Sequence, residues 1–160
     1  VTVGDWHYFC PSLAYNGRTG EIRRLPRAQI QGAVSVAVAS PNGRIWAGTD
    51  HGGTLFMYDP STNKYTYYGR PVPKLGQESG EEIAPITSLA PGKDGMLYGT
   101  IGVGATDRRY SHLFRFDPKK GRVEDYQQLY PALSGLKTSP DGTIYGLSEG
   151  RLAGLFEGER

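Results

Sequence analysis

The 160-residue sequence predicts an all-β fold of repeated four-stranded antiparallel units, and three observations carry that reading. The first is a phrase that recurs: residues 35–50 read SVAVASPNGRIWAGTD, residues 87–102 read TSLAPGKDGMLYGTIG, and residues 134–149 read SGLKTSPDGTIYGLSE. Each copy is an alternating apolar run, an Asn-Gly or Asp-Gly turn, and a second apolar run. The second is spacing, since the turn glycines Gly43, Gly95 and Gly142 lie 52 and 47 residues apart. The third is composition: 23 Gly, 11 Tyr and 11 Pro with only 38% hydrophobic residues suit short strands joined by tight turns. No stretch reads as a long amphipathic helix; the best candidate, residues 26–34, is too short and carries Gly32.

The clearest unit runs from 86 to 129. Residues 86–92 form a first strand, 93–95 a hairpin turn, 96–102 a second strand, 112–117 a third, 118–121 a turn and 122–129 a fourth. Asp-Gly between alternating apolar runs is a strong hairpin signal because the turn demands positive φ. Asp-Pro-x-x-Gly serves the same end, with proline setting φ and glycine closing the bend. The preceding unit repeats the plan, with its third strand at 55–59, a turn at 60–63 and a fourth strand at 64–68. In the first unit, residues 1–4 read as the end of a second strand, 12–16 as a third, 17–20 as a turn and 21–25 as a fourth. In the last unit the chain stops within a third strand at 155–157.

The expected count is therefore three, four, four and three strands, in segments 1–28, 33–72, 84–131 and 132–160. Four-stranded sheets with this period build a β-propeller, here about 3.5 blades of one. The words YDP-turn-strand and DG-x-I/L-Y-G resemble the bacterial propellers of the streptogramin-lyase, NHL and SMP-30-like families. That resemblance implies a fold shared by many activities, among them polysaccharide lyases and lactone-type hydrolases. Because closure removes exposed sheet edges, the expectation is a segment of a larger ring of about six to eight blades, with self-association as the other route to completion. A β-sandwich is disfavoured, because sandwich strands do not recur in matching quartets.

A net charge of +2 with both signs scattered argues against a nucleic-acid partner, which would need a concentrated basic face. No apolar stretch approaches the roughly 20 residues of a membrane helix. The start, VTVGDWHYF, carries no signal-peptide pattern, an absence that decides little for a mature chain. The lone Cys10, followed by Pro11, reads as a small buried hydrophobe rather than a nucleophile. The compartment is left open, with a lean to bacterial extracytoplasmic or secreted.

Function is expected on loops held by the rigid scaffold. The first-to-second and third-to-fourth connections are tight turns, whereas the second-to-third loops and blade links are long. All three histidines, His7, His51 and His112, are assigned on this reading to second-to-third loops, beside Asp5, Asp50 and Asp107, with His112 at the end of an insertion where it abuts its third strand. One reading is a ligand-binding face for a small molecule, carbohydrate or protein, with Trp6, His7, Tyr8, Asp50 and Arg108 as binding residues. A catalytic alternative uses His51, His112, Tyr110 and Arg109 for β-elimination on an acidic polysaccharide: Arg would take the carboxylate, Tyr or His the proton. No cofactor is called for; a divalent metal on His7, His51 and His112 is the variant, against the plainer reading that these residues cap turns. Trp46 belongs to blade packing, since Tyr98 and Tyr145 hold its place in the repeat. The polar stretch 74–82 reads as an inter-blade loop, with no calcium-loop spacing.

Overall fold

The computed structural model describes residues 1–9, 11–72, 85–102, 110–148 and 151–156, the last four by backbone alone. Among these the chain forms fifteen strands and no helix. Blade 1 holds β1 (Thr2–Val3), β2 (Trp6–Phe9), β3 (Leu13–Asn16) and β4 (Ile22–Arg24). Blade 2 holds β5 (Val34–Ala39), β6 (Ile45–Thr49), β7 (Leu55–Asp59) and β8 (Lys64–Gly69). Blade 3 holds β9 (Ile86–Pro91), β10 (Leu97–Gly102), β11 (Ser111–Asp117) and β12 (Arg122–Leu129). Blade 4 holds β13 (Leu133–Thr138), β14 (Ile144–Ser148) and β15 (Arg151–Phe156). Each sheet is antiparallel with its strands in chain order. The first strands β5, β9 and β13 lie beside one another, so the blades share an inner edge.

The first unit has four strands where three were expected. Residues 1–4 are not the end of a second strand. Thr2 pairs with His7 and Val3 with Trp6 across the two-residue loop Gly4-Asp5, where Gly4 has φ +57°. What reads as a loop at 5–11 therefore contains β2. In the last unit the third strand begins at Arg151, ahead of the expected 155. His112, expected where the loop abuts the third strand, lies inside β11, paired with Ile101 and Gln128. Cys10 and residues 74–82 lie outside the described residues.

Alternation along each strand gives every blade two working faces: a front toward the next blade in the chain and a rear toward the previous one. Between blades 1 and 2, Tyr8, Ala14 and Leu25 meet Ile45 and Tyr58. Between blades 2 and 3, Trp46, Leu55 and Met57 meet Leu97, Phe114 and Phe116. Between blades 3 and 4, Tyr98 and Leu113 meet Leu133, Leu136 and Ile144. Trp46 thus packs between blades, as its repeat position indicates, and so does Tyr8, which is 9% exposed.

Side-chain hydroxyls tie the inner strands across these junctions. Ser35 Oγ donates to the Ile86 carbonyl at 2.6 Å, and Thr138 Oγ1 to that of Pro91 at 2.7 Å. The turns repeat one device. Asn16 Oδ1 accepts from the amides of Arg18 and Thr19, both at 2.9 Å. Asp59 Oδ1 accepts from Ser61 N at 2.9 Å, and Asp117 Oδ1 from Lys119 N at 2.8 Å. Such Asx turns satisfy backbone donors that the bend leaves without a ladder partner.

Both the junctions and the turns can be tested by substitution. A Cβ on Gly99 would sit 2.3 Å from Phe114 Cζ and 2.8 Å from Leu89 Cδ2. Gly99→Ala is expected to destabilise by about 1–3 kcal/mol in chemical denaturation, with Phe114→Leu in the same chain recovering part of the loss. Asp117 has its pKa lowered: burial alone would raise it, but the amides of Lys119 and Lys120 and the Lys120 charge outweigh that. For Asp59 the hydroxyl of Ser61 is the main lowering cause. A carboxylate lowered on folding contributes stability that is whole above the unfolded value of about 3.9 and is lost as pH falls through the folded one. Thermal melts by circular dichroism from pH 5 to pH 2 should show Tm falling, and Asp117→Asn should flatten that fall while keeping the fold, because Asn16 holds the equivalent turn uncharged.

Candidate functional site

The two ends of the blades differ in how they are tied. At the end carrying the first-to-second and third-to-fourth turns, charges close neighbouring turns together. Arg18 Nε lies 3.0 Å from Asp5 Oδ2, and Arg44 Nε lies 3.3 Å from Asp59 Oδ2. At the opposite end, β6 leads into residues 50–54 and β11 receives the chain from the second-to-third connection of blade 3.

His51 stands at this loop end on blade 2. Asp50 Oδ1 accepts from Ala33 N at 2.8 Å and from His51 N at 2.6 Å, binding the loop to the blade link. Its carboxyl is held below the usual range, first by the His51 side chain at 3.1 Å and then by the Ala33 amide. Thr49 Oγ1 donates to the His51 carbonyl at 2.8 Å and accepts from Thr54 N at 2.9 Å. Gly32, at φ +77°, is required here, because a Cβ would fall 2.4 Å from Asp50 Oδ1. The loop backbone is thus tied at both ends, while the His51 side chain remains 73% exposed.

His112 is the second residue of β11 and shares the rear side of that strand with Phe114 and Phe116, facing blade 2. It is only 9% exposed, and its Nδ1 is buried with no hydrogen-bond partner among the described residues. Burial pushes its pKa down, which keeps the ring neutral. Just before β11, the Tyr110 ring lies 5.2 Å from that of Tyr130, which is 68% exposed at the start of the blade 3–4 link. Tyr130 has no counterpart among the expected site residues; a Tyr-Pro pair at a blade link was its available signal.

His7 does not join His51 and His112. Its Nδ1 lies 3.1 Å from Thr2 Oγ1 and its ring stacks on Tyr15 at 6.3 Å. Its Nε2 would lie 3.0 Å from a Cβ on Gly17, which places it at the turn end. Trp6 is at the same end, with the Arg23 guanidinium 4.4 Å from its ring, and Tyr8 is buried. The shared-face expectation for Trp6, His7 and Tyr8 is therefore corrected, because the first unit is out of phase by one strand. Among the described residues no three His, Cys, Asp or Glu side chains come together as a metal site. Arg108, Arg109 and Asp107 lie outside the described residues.

No family model and no curated protein matches the chain. Solved structures do. The chain is similar to the extracellular domain of a one-component system protein of Bacteroides thetaiotaomicron (TM-score 0.64, 17% identity, 96% of this chain and 20% of that one). It is similar to virginiamycin B lyase of Staphylococcus aureus (TM-score 0.56, 14% identity, 89% of this chain and 47% of that one). It is also similar to the β-propeller domain of the Trilobed protease of Pyrococcus furiosus (TM-score 0.50, 15% identity, 92% of this chain and 48% of that one). The chain spans less than half the length of each. At these identities the likeness shows the fold alone: the chain is built of β-propeller blades, resembling propellers of the streptogramin-lyase type.

Proposed function

We propose that the chain is a ligand- or partner-binding β-propeller module that uses its loop end, with His51 on blade 2 and His112 on blade 3. The observation that carries this is the His112 Nδ1, buried and unpartnered among the described residues. Leaving a buried polar atom unsatisfied costs about 1–3 kcal/mol, so a position that served packing alone would favour an apolar side chain. A neutral imidazole nitrogen supplies one donor or acceptor to a bound group. Beside it, Tyr110 and Tyr130 form an aromatic pair suited to stacking on a sugar ring, and the exposed His51 adds a polar contact. A carbohydrate is the ligand class this combination favours, with Arg108 and Arg109 as charge partners for an acidic sugar. Further blades or a second copy would complete the ring. An extracytoplasmic location is supported by two extracellular domains of Bacteroides thetaiotaomicron among the similar structures.

The test is a glycan array with the 160-residue chain and three variants. His112→Leu is expected to hold or raise Tm while lowering binding at least about tenfold, the effect of one lost polar contact of roughly 1.4 kcal/mol. Tyr130→Ala should also lower binding, and Trp6→Phe at the turn end should leave it unchanged. Binding untouched by His112→Leu and Tyr130→Ala would overturn the reading, and turnover of polyuronates by the chain would replace it with the lyase reading. An independent prediction concerns pH. A histidine lowered on folding contributes stability that is complete above the unfolded value of about 6.5 and declines as pH falls toward the folded one, because the unfolded chain takes up a proton that the buried ring refuses. Melts between pH 7.5 and 5 should show this decline in the parent chain and a smaller one in His112→Leu.

A further inference from the structure

The loop after β6 commits three of the four polar atoms of His51 and leaves the fourth facing water. His51 N donates to Asp50 Oδ1 at 2.6 Å, and the His51 carbonyl accepts from Thr49 Oγ1 at 2.8 Å. The ring Nδ1 lies 3.1 Å from the same Asp50 oxygen. That oxygen is held in turn from the blade link, where Ala33 N donates to it at 2.8 Å. The link backbone closes tightly over the pair: a Cβ on Gly32 would fall 2.4 Å from Asp50 Oδ1 and 2.7 Å from His51 Cβ. Nε2 is left without a partner among the described residues, on a side chain 73% exposed.

The arrangement decides where the ring carries its proton. The Asp50 carboxyl has its pKa lowered, first by the His51 side chain and then by the Ala33 amide, and an ionised carboxylate only accepts. A bare Nδ1 lone pair set 3.1 Å from that oxygen would be repelled by it. In the neutral ring the single proton therefore sits on Nδ1, and Nε2 is a bare acceptor. The other two histidines are not fixed in this way. His7 Nδ1 lies 3.1 Å from the Thr2 hydroxyl, which donates or accepts equally well. His112 Nδ1 is buried with no partner among the described residues. We infer that Asp50 is a positioning residue of the loop end: it holds His51 as the Nδ1–H form and presents Nε2 as a hydrogen-bond acceptor to a ligand hydroxyl. The inference rests on the reading of the loop end as a binding site and names what the ligand offers there, a donor such as the hydroxyl of a neutral sugar ring. A carboxylate brought to the same place meets a lone pair instead of an N–H, so the neutral His51 ring selects against an acidic group at its own position.

Long-range proton–nitrogen correlation NMR of the isotopically labelled 160-residue chain tests this at pH 8, where an ordinary imidazole is neutral. His51 should show a protonated Nδ1 and a bare Nε2, with His7 in the same spectrum as the reference ring that faces a hydroxyl. Asp50→Ala should return His51 to a mixture of the two forms. Asp50→Asn keeps an Oδ1 acceptor and should restore the Nδ1–H form, a readout that a purely structural role for Asp50 would not move. On the glycan array, Asp50→Ala and His51→Ala should each lower binding at least about fivefold, as expected for one lost polar contact. The double variant should lower it no further than His51→Ala alone. A parent His51 with its proton on Nε2 overturns the inference, whether or not Asp50→Ala folds. So does a folded Asp50→Ala chain that keeps the Nδ1–H form, or glycan binding untouched by His51→Ala. The two readings fail separately: binding that depends on His112 but not on His51 loses this inference alone, and a chain that binds no glycan although Asp50 holds the ring as expected loses the binding reading.

Discussion

Everything in this chain hangs on burying one sheet face against the next. No blade can bury both of its faces by itself, since a four-stranded sheet has no interior. The middle junction shows how the problem is solved. Trp46 projects from the front of blade 2, stacked on Tyr68 at 5.4 Å, and meets the edge of Phe116 from blade 3 at 5.7 Å. Burying an aromatic side chain is worth about 1.5–3 kcal/mol relative to exposure, with about 0.5–1.5 more for favourable ring geometry. Such large rings fit only because the residue after the aromatic is small. Ala47, Gly99 and Gly146 hold that place, and at Gly146 a Cβ would lie 2.7 Å from Leu133 Cγ. The aromatic-small pair is therefore one packing unit: the first residue fills the front junction and the second makes room at the rear.

Blade 1 departs from this unit in an informative way. Its aromatic is Tyr8, but the next residue is the large Phe9, paired with Leu13. Elsewhere the pairing is Ala47 with Phe56 and Gly99 with Phe114. The ring has moved from the third strand to the second, which roughly conserves volume across the pair. The rear of blade 1 therefore keeps the bulk of a junction surface, with Tyr15 and Ile22 on the same side as Phe9. His7, at the position of the buried Ile45 and Leu97, gives that surface a polar edge near the turn end.

Most of this architecture is legible in the repeat itself. The Asn-Gly and Asp-Gly turns locate β5 to β14 within a few residues, because positive φ at Gly43, Gly95 and Gly142 is a local demand that only a few residue types meet. The phase of blade 1 is not legible, for an equally local reason. A first strand of two residues, Thr2–Val3, is too short to show alternation, and Gly4-Asp5 reads as readily as a loop start as it does a hairpin. That single slip moves Trp6, His7 and Tyr8 to the wrong end of the blade and produces an apparent triad of histidines. His112 opens the expected third strand and is the second residue of β11, which begins one residue earlier. Its burial and the orphaned Nδ1 are properties of the blade 2–3 junction, which no single segment encodes.

His51 and His112 come from the two blades that meet at the middle junction, the one holding Trp46, Phe114 and Phe116. That junction is flanked by a packed junction on each side. A site built there is organised by contacts within one chain: Asp50 pins its loop to the blade link, and β11 is held between β10 and β12 along its full length. The proposed loop-end site is therefore a property of two adjacent blades and of the junction packed between them.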